Sequence, residues 1–373
     1  MKDNDILLWD ETLFKDLSVL EPDYLPEYFP HRETQLNSLK FALRPALRGM
    51  RPLNCLLVGP PGTGKTSAVM KVFKEVESHA PNVVAVKVNC QIDSTRFAVI
   101  SRIYRKLFGI SPPNSGIAFR KIFETVVNFL VSSEKVLLVA LDDLNYLCFE
   151  GHANEVMYSL LRDHEQYPGA KVGVIGIVDD TSDLYCIDSR VNSVFLPEEI
   201  SFPRYGSVEI LDILKDRAKY GFYPKVISDE LLELVASHVE KTGDLRVGID
   251  LLKRSGFNAE RRGSRTLASA DIEKAYEASK LIHLCRSISL LSDSEKSLLD
   301  LIARKGEIQA GELYKSFHEL TQLGYTRYYE IVNRFQALNY VDADFTGKGQ
   351  RGRTRIIKIK YEAEDILKCL EKS

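Results

Sequence analysis

The sequence predicts an α/β core over residues 1–205, a small all-helical domain over 206–285 and a C-terminal winged helix over 286–373. Three observations predict this order. Near-continuous apolar strands alternate with helical runs in the first half of the chain, as in a parallel sheet that helices cover on both faces. Beyond residue 205 the apolar residues take the spacing of helices. The chain then closes with two strands around a basic, glycine-rich turn, which is typical of a winged helix.

Composition sets the broad class of the protein. A chain of 373 residues suits two or three domains at roughly 100–200 residues each. We find neither a run of about 18 apolar residues nor a secretory signal, so we expect no membrane partner and a cytoplasmic location. The six cysteines are scattered and form no C-x-x-C pair, so we expect reduced thiols rather than disulfides or a zinc site. The net charge is −2, so the total charge does not indicate nucleic-acid binding. A local basic patch could still bind nucleic acid.

The elements follow from apolar spacing along the chain. Four short apolar stretches supply the strands of the core, at 54–59, 82–89, 135–143 and 170–180. Three segments with helical spacing form the all-helical domain, at 207–222, 228–260 and 264–279. Three more helices precede two strands within 340–361, at 292–306, 309–324 and 326–339. The first of these last helices opens with a Ser/Asp cap and an acidic first turn.

Residues 59–66, GPPGTGKT, match the phosphate-binding loop pattern G-x-x-x-x-G-K-[ST]. Glycines let the backbone N–H groups turn inward, and the helix that follows adds its positive end, which favours phosphate. We expect Lys65 to reach the β- and γ-phosphates and the Thr66 hydroxyl to bind Mg²⁺. An ordinary glycine-proline turn is the alternative, which the preceding strand and the following helical run disfavour. The nucleotide-binding residues predicted in this loop are Gly62, Thr63, Gly64, Lys65, Thr66 and Ser67.

Two aspartates end the third predicted strand, VLLVALDD. A magnesium-binding acid is expected at the end of a strand beside the phosphate loop, and Asp142 takes that position. Asp143 then lies where a base would polarise the water that attacks the γ-phosphate. The alternative is that the two acids merely open a loop, which the strand and the spacing disfavour.

Several separated motifs resemble those of the archaeal origin-recognition and helicase-loading initiators, a family of AAA+ ATPases. YLPEYFPHRETQLNSL (24–39) resembles the N-terminal box of that family, before the phosphate loop. VIGIVDDTSDLYCIDSRVNS (174–193) resembles its first sensor and arginine-finger stretch, and GDLRVGIDLL (243–252) its second sensor. GYTRYYEIVNRFQALNYV, followed by GKGQRGRTR, resembles its winged helix. The match runs in order and implies an AAA+ core with a parallel sheet, a helical lid and a DNA-binding winged helix.

The resemblance implies roles for residues outside the phosphate loop. Five are expected near the adenine and the mouth of the site: Pro30, His31, Arg32, Tyr205 and Arg217. Arg246 would read the γ-phosphate from the lid, and Arg190 would act as an arginine finger on the nucleotide of a neighbouring subunit. A solvated or salt-bridged surface residue is the alternative for either arginine. The cofactors implied are ATP or ADP with Mg²⁺.

Two departures from the family pattern bear on hydrolysis. The family often has Asp-Glu where this chain has Asp142 and Asp143, and aspartate is one methylene shorter. The first sensor is often asparagine, whereas this chain places Asp179 there. An acid beside a γ-phosphate repels it unless the acid is protonated or turned away. We therefore expect a slow ATPase that acts as a switch, and a turnover above a few per second would contradict this.

Basic residues near the C-terminus predict a DNA contact at the wing. Six lysines and arginines and no acid occur between Gly347 and Lys360. Glycines in the same stretch allow a tight tip that approaches DNA closely. We expect Lys348, Arg351 and Arg353 to contact the minor groove or the phosphate backbone. A protein-binding winged helix with a solvated wing is the alternative.

Two helices supply further candidate DNA contacts. Arg327 and Arg334 are seven residues apart and share the face of their helix opposite its apolar residues, as in a recognition helix. Arg102 and Arg105 lie on one face of the helical run at 94–109, where the resemblance implies an extra helix that touches DNA. A solvated helix face is an equally good explanation of that second pair.

Together these features predict an ATP-dependent replication initiator. It would bind double-stranded origin DNA at the nucleoid and help to load the replicative helicase, with other initiator subunits as further partners. An ATP-gated winged-helix transcription regulator is the alternative. A clamp-loader-like or remodelling ATPase is a third hypothesis, which the basic wing disfavours.

Overall fold

The computed structural model describes residues 12–113, 119–162, 167–184, 186–289, 291–337, 340–345 and 355–371. They form two compact units, one up to Ser269 and one from Ala270. The first holds the nucleotide-binding core and the helical lid, and the second holds the winged helix. The predicted three-domain division at 205 and 285 stays a prediction. No helix in the described ranges is long and apolar enough to cross a membrane.

The core is a five-stranded parallel sheet in the order β2-β3-β4-β1-β5. The strands are β1 (Cys55–Val58), β2 (Val83–Asn89), β3 (Val136–Asp142), β4 (Val172–Val178) and β5 (Glu198–Ser201). The four strands that the sequence predicts are confirmed. The edge strand β5 was not among them, because Ile200 is its single buried residue and leaves no apolar run to detect.

Helices cover both faces of the sheet. They are α1 (Glu33–Leu47), α2 (Lys65–His79), α3 (Arg96–Phe108), α4 (Phe119–Ser132), α5 (Asn145–Phe149), α6 (Ala153–Leu161) and α7 (Ser189–Phe195). Successive strand residues point to opposite faces. Leu138 accordingly packs in the core formed with α1 and α2, and Val139 in the core formed with α3, α4 and α6. This double burial is why β3 is apolar at nearly every position.

The lid helices of the first unit are α8 (Ser207–Gly221), α9 (Asp229–Thr242) and α10 (Leu245–Arg261), whereas the helix predicted at 264–279 is found at Ser269–Ser289 and belongs almost wholly to the second unit. The segment 228–260 is therefore two helices. Gly243 adopts a left-handed conformation, with φ of 70°, and ends α9. The carboxylate of Asp244 then accepts a hydrogen bond from the backbone N–H of Arg246 and caps α10.

The second unit is a winged helix, as the sequence predicts. Its helices are α11 (Ser269–Ser289), α12 (Asp293–Lys305), α13 (Ala310–Thr321), α14 (Tyr325–Ala337) and α15 (Ala363–Glu371). Its antiparallel sheet has the order β6-β8-β7, with β6 (Ile308–Gln309), β7 (Val341–Phe345) and β8 (Arg355–Ile359). The third strand and the terminal helix α15 are additions to the predicted pattern. The wing tip, with Lys348, Arg351 and Arg353, lies outside the described residues.

The expectation that all cysteines are reduced is wrong for four of them. Cys148 is bonded to Cys186 and Cys285 to Cys369, with Cα–Cα distances of 5.5 and 4.6 Å. Cys55 and Cys90 are free and buried. The bonded partners are 38 and 84 residues apart in sequence. Only the fold brings them together, so no local cysteine spacing could have predicted the pairs.

Candidate nucleotide site and nucleic-acid interface

A cleft of about 1230 Å³ opens between the phosphate loop and the lid within the first unit. Its volume suffices for a nucleotide, since small-molecule sites are about 300–1,000 Å³. Most of the predicted nucleotide residues line it: Pro30, Gly62, Thr63, Gly64, Lys65, Thr66, Ser67, Asp142, Asp143, Tyr205, Arg217 and Arg246. Three do not, namely His31, Arg32 and Arg190.

The phosphate loop depends on its glycines for its backbone. Gly62 and Gly64 have φ values of 75° and 92°, in the left-handed region that favours glycine. A β-carbon on Gly62 would lie 2.0 Å from Oδ1 of Asp244, on the lid. α2 begins directly after Gly64, so its positive end faces the cleft. The loop therefore offers N–H donors and a helix dipole to an anion.

Lys65 is paired within the protein. Its Nζ donates to the backbone carbonyls of Gly59 and Pro60 and to Oδ1 of Asp179 at 2.9 Å. The side chain is buried, with 7% exposure. The acid at the first-sensor position is thus held by the lysine that the sequence assigns to the phosphates. A bound nucleotide has to compete with Asp179 for this cation.

Replacing Asp179 by asparagine is expected to raise the affinity for ATP about tenfold, since the change removes both the competing anion and its repulsion of the γ-phosphate. Titration calorimetry with ATP would measure this. Asp180→Asn, which removes the same charge from the next, exposed residue, is the matched control and should change the affinity little. Equal affinities of wild type and Asp179→Asn would contradict the competition.

The residues expected to hold Mg²⁺ lie together. The Thr66 hydroxyl donates to Oδ1 of Asp142 at 2.8 Å, which places two hard oxygen ligands side by side at the mouth of the loop. Within the described ranges, no group of three or more His, Cys, Asp and Glu could hold a metal. Mg²⁺ is usually bound by one or two protein ligands together with the phosphates, and Thr66 and Asp142 are the candidate protein ligands here.

Lys87 is a neighbour of this pair that the sequence reasoning missed. Its Nζ lies 3.5 Å from Oδ2 of Asp142, and its side chain lines the cleft. β2 pairs with β3 in a register that sets Asn89 opposite Asp142, so Lys87 comes from the adjacent strand. The sequence did contain a sign of this role, because a lysine interrupts the otherwise apolar strand residues VVAVKV.

Asp143 has the properties of a general base. It lines the cleft and holds a left-handed backbone, with φ of 57°. Burial raises the pKa of its carboxyl, and the charges of Asp142 and Asp179 raise that pKa further. A carboxylate with a raised pKa is a stronger base than an ordinary aspartate. Asp and Asn tolerate the left-handed region better than Glu, which gives a physical reason for Asp at this position.

The residues predicted around the adenine contribute in two ways. Tyr205 and Arg217 line the cleft, and Arg217 donates to the backbone carbonyl of Val19 at 2.7 Å. Arg32 is buried behind them. It donates from Nε to the carbonyl of Thr63 at 3.1 Å, and its guanidinium carbon lies 3.7 Å from the centre of the Tyr205 ring. Arg32 thus supports the phosphate loop and Tyr205 from the protein side.

His31 joins the N-terminal box to the lid. Its Nε2 lies 3.3 Å from Oδ2 of Asp212, on α8. Its backbone is left-handed, with φ of 63°, which is uncommon for a residue other than glycine. His31 therefore bridges two walls of the cleft without lining the cleft itself.

The two predicted sensor and finger arginines lie in different surroundings. Arg246 donates from Nε and Nη2 to the carboxylate of Asp244, at 2.6–3.1 Å, and lines the cleft. The hydrogen bonds that Arg246 donates to Asp244 raise the pKa of this guanidinium. Arg190 is 80% exposed, 3.6 Å from Asp188, at the start of α7. Its position away from the cleft is compatible with action on a neighbouring subunit.

The predicted DNA residues on helices are mostly paired. On α14, Arg327 lies 3.1 Å from Glu330, and Arg334 donates to Oε1 of Glu295 at 2.6 Å. On α3, Arg102 pairs with Asp93 at 2.9 Å. Arg105 is exposed and forms no ion pair with any residue that the structure describes.

Residues that sequence reasoning missed lie on α14 beside these arginines. Tyr325 and Tyr329 are large exposed aromatics of this helix. Both lie on the helix that also carries Arg327 and Arg334. The two tyrosines could have been recognised from their spacing of four residues, which sets them on one face of a helix.

Glu295 is expected to make the winged helix sensitive to acid. Its side chain is buried and accepts from Ser292 and Arg334. Burial alone would raise its pKa, but these contacts outweigh burial and leave the pKa below its usual range. The stabilisation is therefore complete above the ordinary glutamate range and is lost as the pH falls through the lowered pKa.

Glu295→Gln should lower the free energy of unfolding by about 2 kcal/mol at neutral pH. Thermal unfolding of the full chain across a pH series would measure this and should give curves that converge in acid. Glu312→Gln, at an exposed position on α13, is the control. A constant difference between wild type and Glu295→Gln at all pH values would contradict the linkage.

Comparisons with known proteins agree with this architecture. A family model described as an AAA ATPase domain matches residues 28–175, and one described as a Cdc6 AAA+ ATPase-type lid domain matches 211–277. ORC1-type DNA replication protein 2 of Methanosarcina acetivorans is 86% identical over 372 residues, which cover 100% of both chains. The protein of the same description from Methanothermobacter thermautotrophicus is 42% identical and covers 98% of this chain and 97% of its own.

Solved structures share the fold over nearly the whole chain. The Aeropyrum pernix ORC1 protein in complex with DNA matches with a TM-score of 0.78 and 26% identity, over 98% of both chains. The Aeropyrum pernix ORC2 protein in ADPNP–ADP complexes matches with a TM-score of 0.74 and 24% identity, over 96% of this chain and 98% of its own.

Proposed function

The chain belongs to the ORC1-type DNA replication proteins, and from this premise we propose that it is an ATP-dependent initiator that binds origin DNA and helps to load the replicative helicase. One observation carries the proposal. A cleft around a phosphate-loop motif and a winged helix occur on one chain, and a similar solved structure contains DNA.

The cleft residues divide the chemistry among them. We propose that Lys65 and the N–H groups of the loop bind the phosphates, and that Thr66 and Asp142 hold Mg²⁺. When bound, Mg²⁺ would neutralise charge on the phosphates. Asp143 takes a proton from the attacking water, and Arg246 approaches the γ-phosphate from the lid.

The internal ion pairs favour a switch over a fast motor. In this state Asp179 holds Lys65 and Asp244 holds Arg246. When ATP binds, Lys65 and Arg246 would each have to leave their carboxylate partner in order to pair with a phosphate. The free energy lost when each ion pair breaks offsets part of the free energy gained by binding the phosphates. We infer slow turnover, with ATP binding and release as the steps that change the protein.

We propose that the winged helix contacts double-stranded DNA through α14 and the wing, with Lys348, Arg351 and Arg353 at the tip. Arg102 and Arg105 on α3 form a second candidate contact. The replicative helicase and further initiator subunits are the proposed protein partners, with Arg190 acting on a neighbouring nucleotide. The protein would then be found at the nucleoid.

Mapping of the bound sites in cells tests this function. Wild type and Asp143→Asn should occupy a few discrete sites with repeated sequences at which replication begins, and occupancy should depend on the nucleotide state. Sites spread over promoters, without replication starts, would support an ATP-gated transcription regulator and contradict the initiator.

A further inference from the structure

Three side chains meet where α14 faces the start of β8, inside the second unit. Arg355 donates from Nη1 to Oδ1 of Asn333 at 2.8 Å and from Nη2 to Oε1 of Gln336 at 2.5 Å. Its Nε donates to the backbone carbonyl of Ala343 at 3.1 Å, and its guanidinium carbon lies 5.7 Å from the centre of the Tyr329 ring. β7 and α14 together therefore fix the plane of this guanidinium.

The amides of Asn333 and Gln336 are consequently held in one orientation. Residues three apart share a helix face, and Gln336 is exposed on it while Asn333 is half-buried. Both amide oxygens point at Arg355, so both NH₂ groups point away from it. Neither NH₂ group donates a hydrogen bond to any residue in the described part of the chain. The helix thus presents two side-chain groups as donors with their acceptors turned inward.

We propose that Arg355 is a positioning residue that orients Asn333 and Gln336 as hydrogen-bond donors, and so gives this protein a preference for guanine over adenine in the major groove. The inference rests on the proposed binding of duplex DNA by α14. It concerns the bases that the helix distinguishes, and the overall affinity for DNA does not determine this.

The preference follows from the two base edges. Guanine presents N7 and O6, which are both acceptors, whereas adenine presents the acceptor N7 and the donor N6. A freely oriented amide reads adenine by donating to N7 and accepting from N6. Here each amide oxygen already accepts a hydrogen bond from the Arg355 guanidinium, so N6 of adenine would have to share that oxygen with a cation, while N7 and O6 of guanine can both accept from NH₂.

The test uses the full chain with ATP and a pool of random duplex DNA. The selected sites are then bound in competition with copies that carry guanine-to-adenine changes, at two salt concentrations. Arg355→Met frees the amides, and Lys358→Met, an exposed residue of the same strand, removes the same charge as a matched control. Gln336→Glu keeps an acceptor for Arg355 but has no NH₂ group to donate to a base. It therefore tests the role of the Gln336 donor in a protein that retains the contact between residues 336 and 355.

Arg355→Met and Gln336→Glu should each reduce the discrimination of guanine from adenine about tenfold at one base pair. Arg355→Met should leave the salt dependence unchanged, because Arg355 contacts protein groups. Lys358→Met should leave the discrimination unchanged. An unchanged base preference with a salt slope lower by about 1 in Arg355→Met would identify a phosphate contact and overturn the inference. Absence of salt-dependent duplex binding by the wild type would instead overturn the proposed function itself.

Discussion

Replacing Asp143 by asparagine is expected to slow ATP hydrolysis about a hundredfold or more, because a general base typically contributes a factor of this size. Asparagine tolerates the left-handed backbone at this position, so the loop should keep its shape. ATP affinity should stay near that of wild type, since phosphate binding rests on Lys65 and the loop N–H groups. Single-turnover hydrolysis and equilibrium binding of ATP measure the two quantities separately.

The pH dependence of this step has a defined sign. Asp143 must be ionised to accept a proton, and burial, followed by Asp142 and Asp179, raises its pKa. Because kcat/KM reports the pKa values of the free enzyme, kcat/KM for hydrolysis by the wild type should fall as the pH drops through a range above that of an ordinary aspartate. Because folding disfavours this charge, Asp143→Asn should be as stable as wild type or more so. A variant that loses stability, or that still hydrolyses ATP at the wild-type rate, would contradict the assignment.

Replacing Lys65 by alanine should lower the affinity for ATP about a hundredfold, since the lysine is the proposed main cation at the β- and γ-phosphates. DNA binding through the winged helix should persist, but it should no longer respond to ATP. Fluorescence titration with a labelled nucleotide and DNA binding with and without ATP measure both effects.

Lys74→Ala is the matched control for Lys65→Ala, because Lys74 is an exposed lysine on the same helix. The double variant Lys65→Ala, Asp179→Asn removes the carboxylate that the single variant leaves unpaired. If Lys65→Ala bound ATP as wild type does, the phosphates would have to lie elsewhere in the cleft. If the double variant regained affinity, repulsion by Asp179 would account for that part of the loss.

The parts of the fold that were predicted correctly are those with local signals. β3 is apolar because both its faces are buried, and this leaves a run of apolar residues in the sequence. The phosphate loop has glycines at positions where the backbone takes a left-handed conformation, and these glycines are visible as a motif. The split of the lid at Gly243 and the short edge strand β5 were not predicted, because each depends on one or two residues. The disulfide partner of Cys285 lies 84 residues away, and no pattern within a sequence window connects them.

The candidate site divides in the same way. Lys65, Thr66 and Asp142 follow from motif and strand position, and the structure brings them together. The pairing of Lys65 with Asp179, of Arg246 with Asp244 and of Arg355 with two amides does not follow from sequence. The first and third pairs join elements that are distant along the chain, and the second, between residues two apart, depends on the side-chain conformations at the start of α10.

The contact between Gly62 and Asp244 limits how far evolution or engineering can alter the phosphate loop. Any side chain at residue 62 would overlap the carboxylate that caps α10 and would also strain the left-handed backbone of the phosphate loop, so it would displace the lid as well as weaken phosphate binding. Alanine at residue 62 should therefore yield a protein with an intact sheet whose lid sits further out. The same methyl group would also lengthen the distance from Arg246 to the loop, which makes this one glycine a determinant of how closely the second sensor can approach.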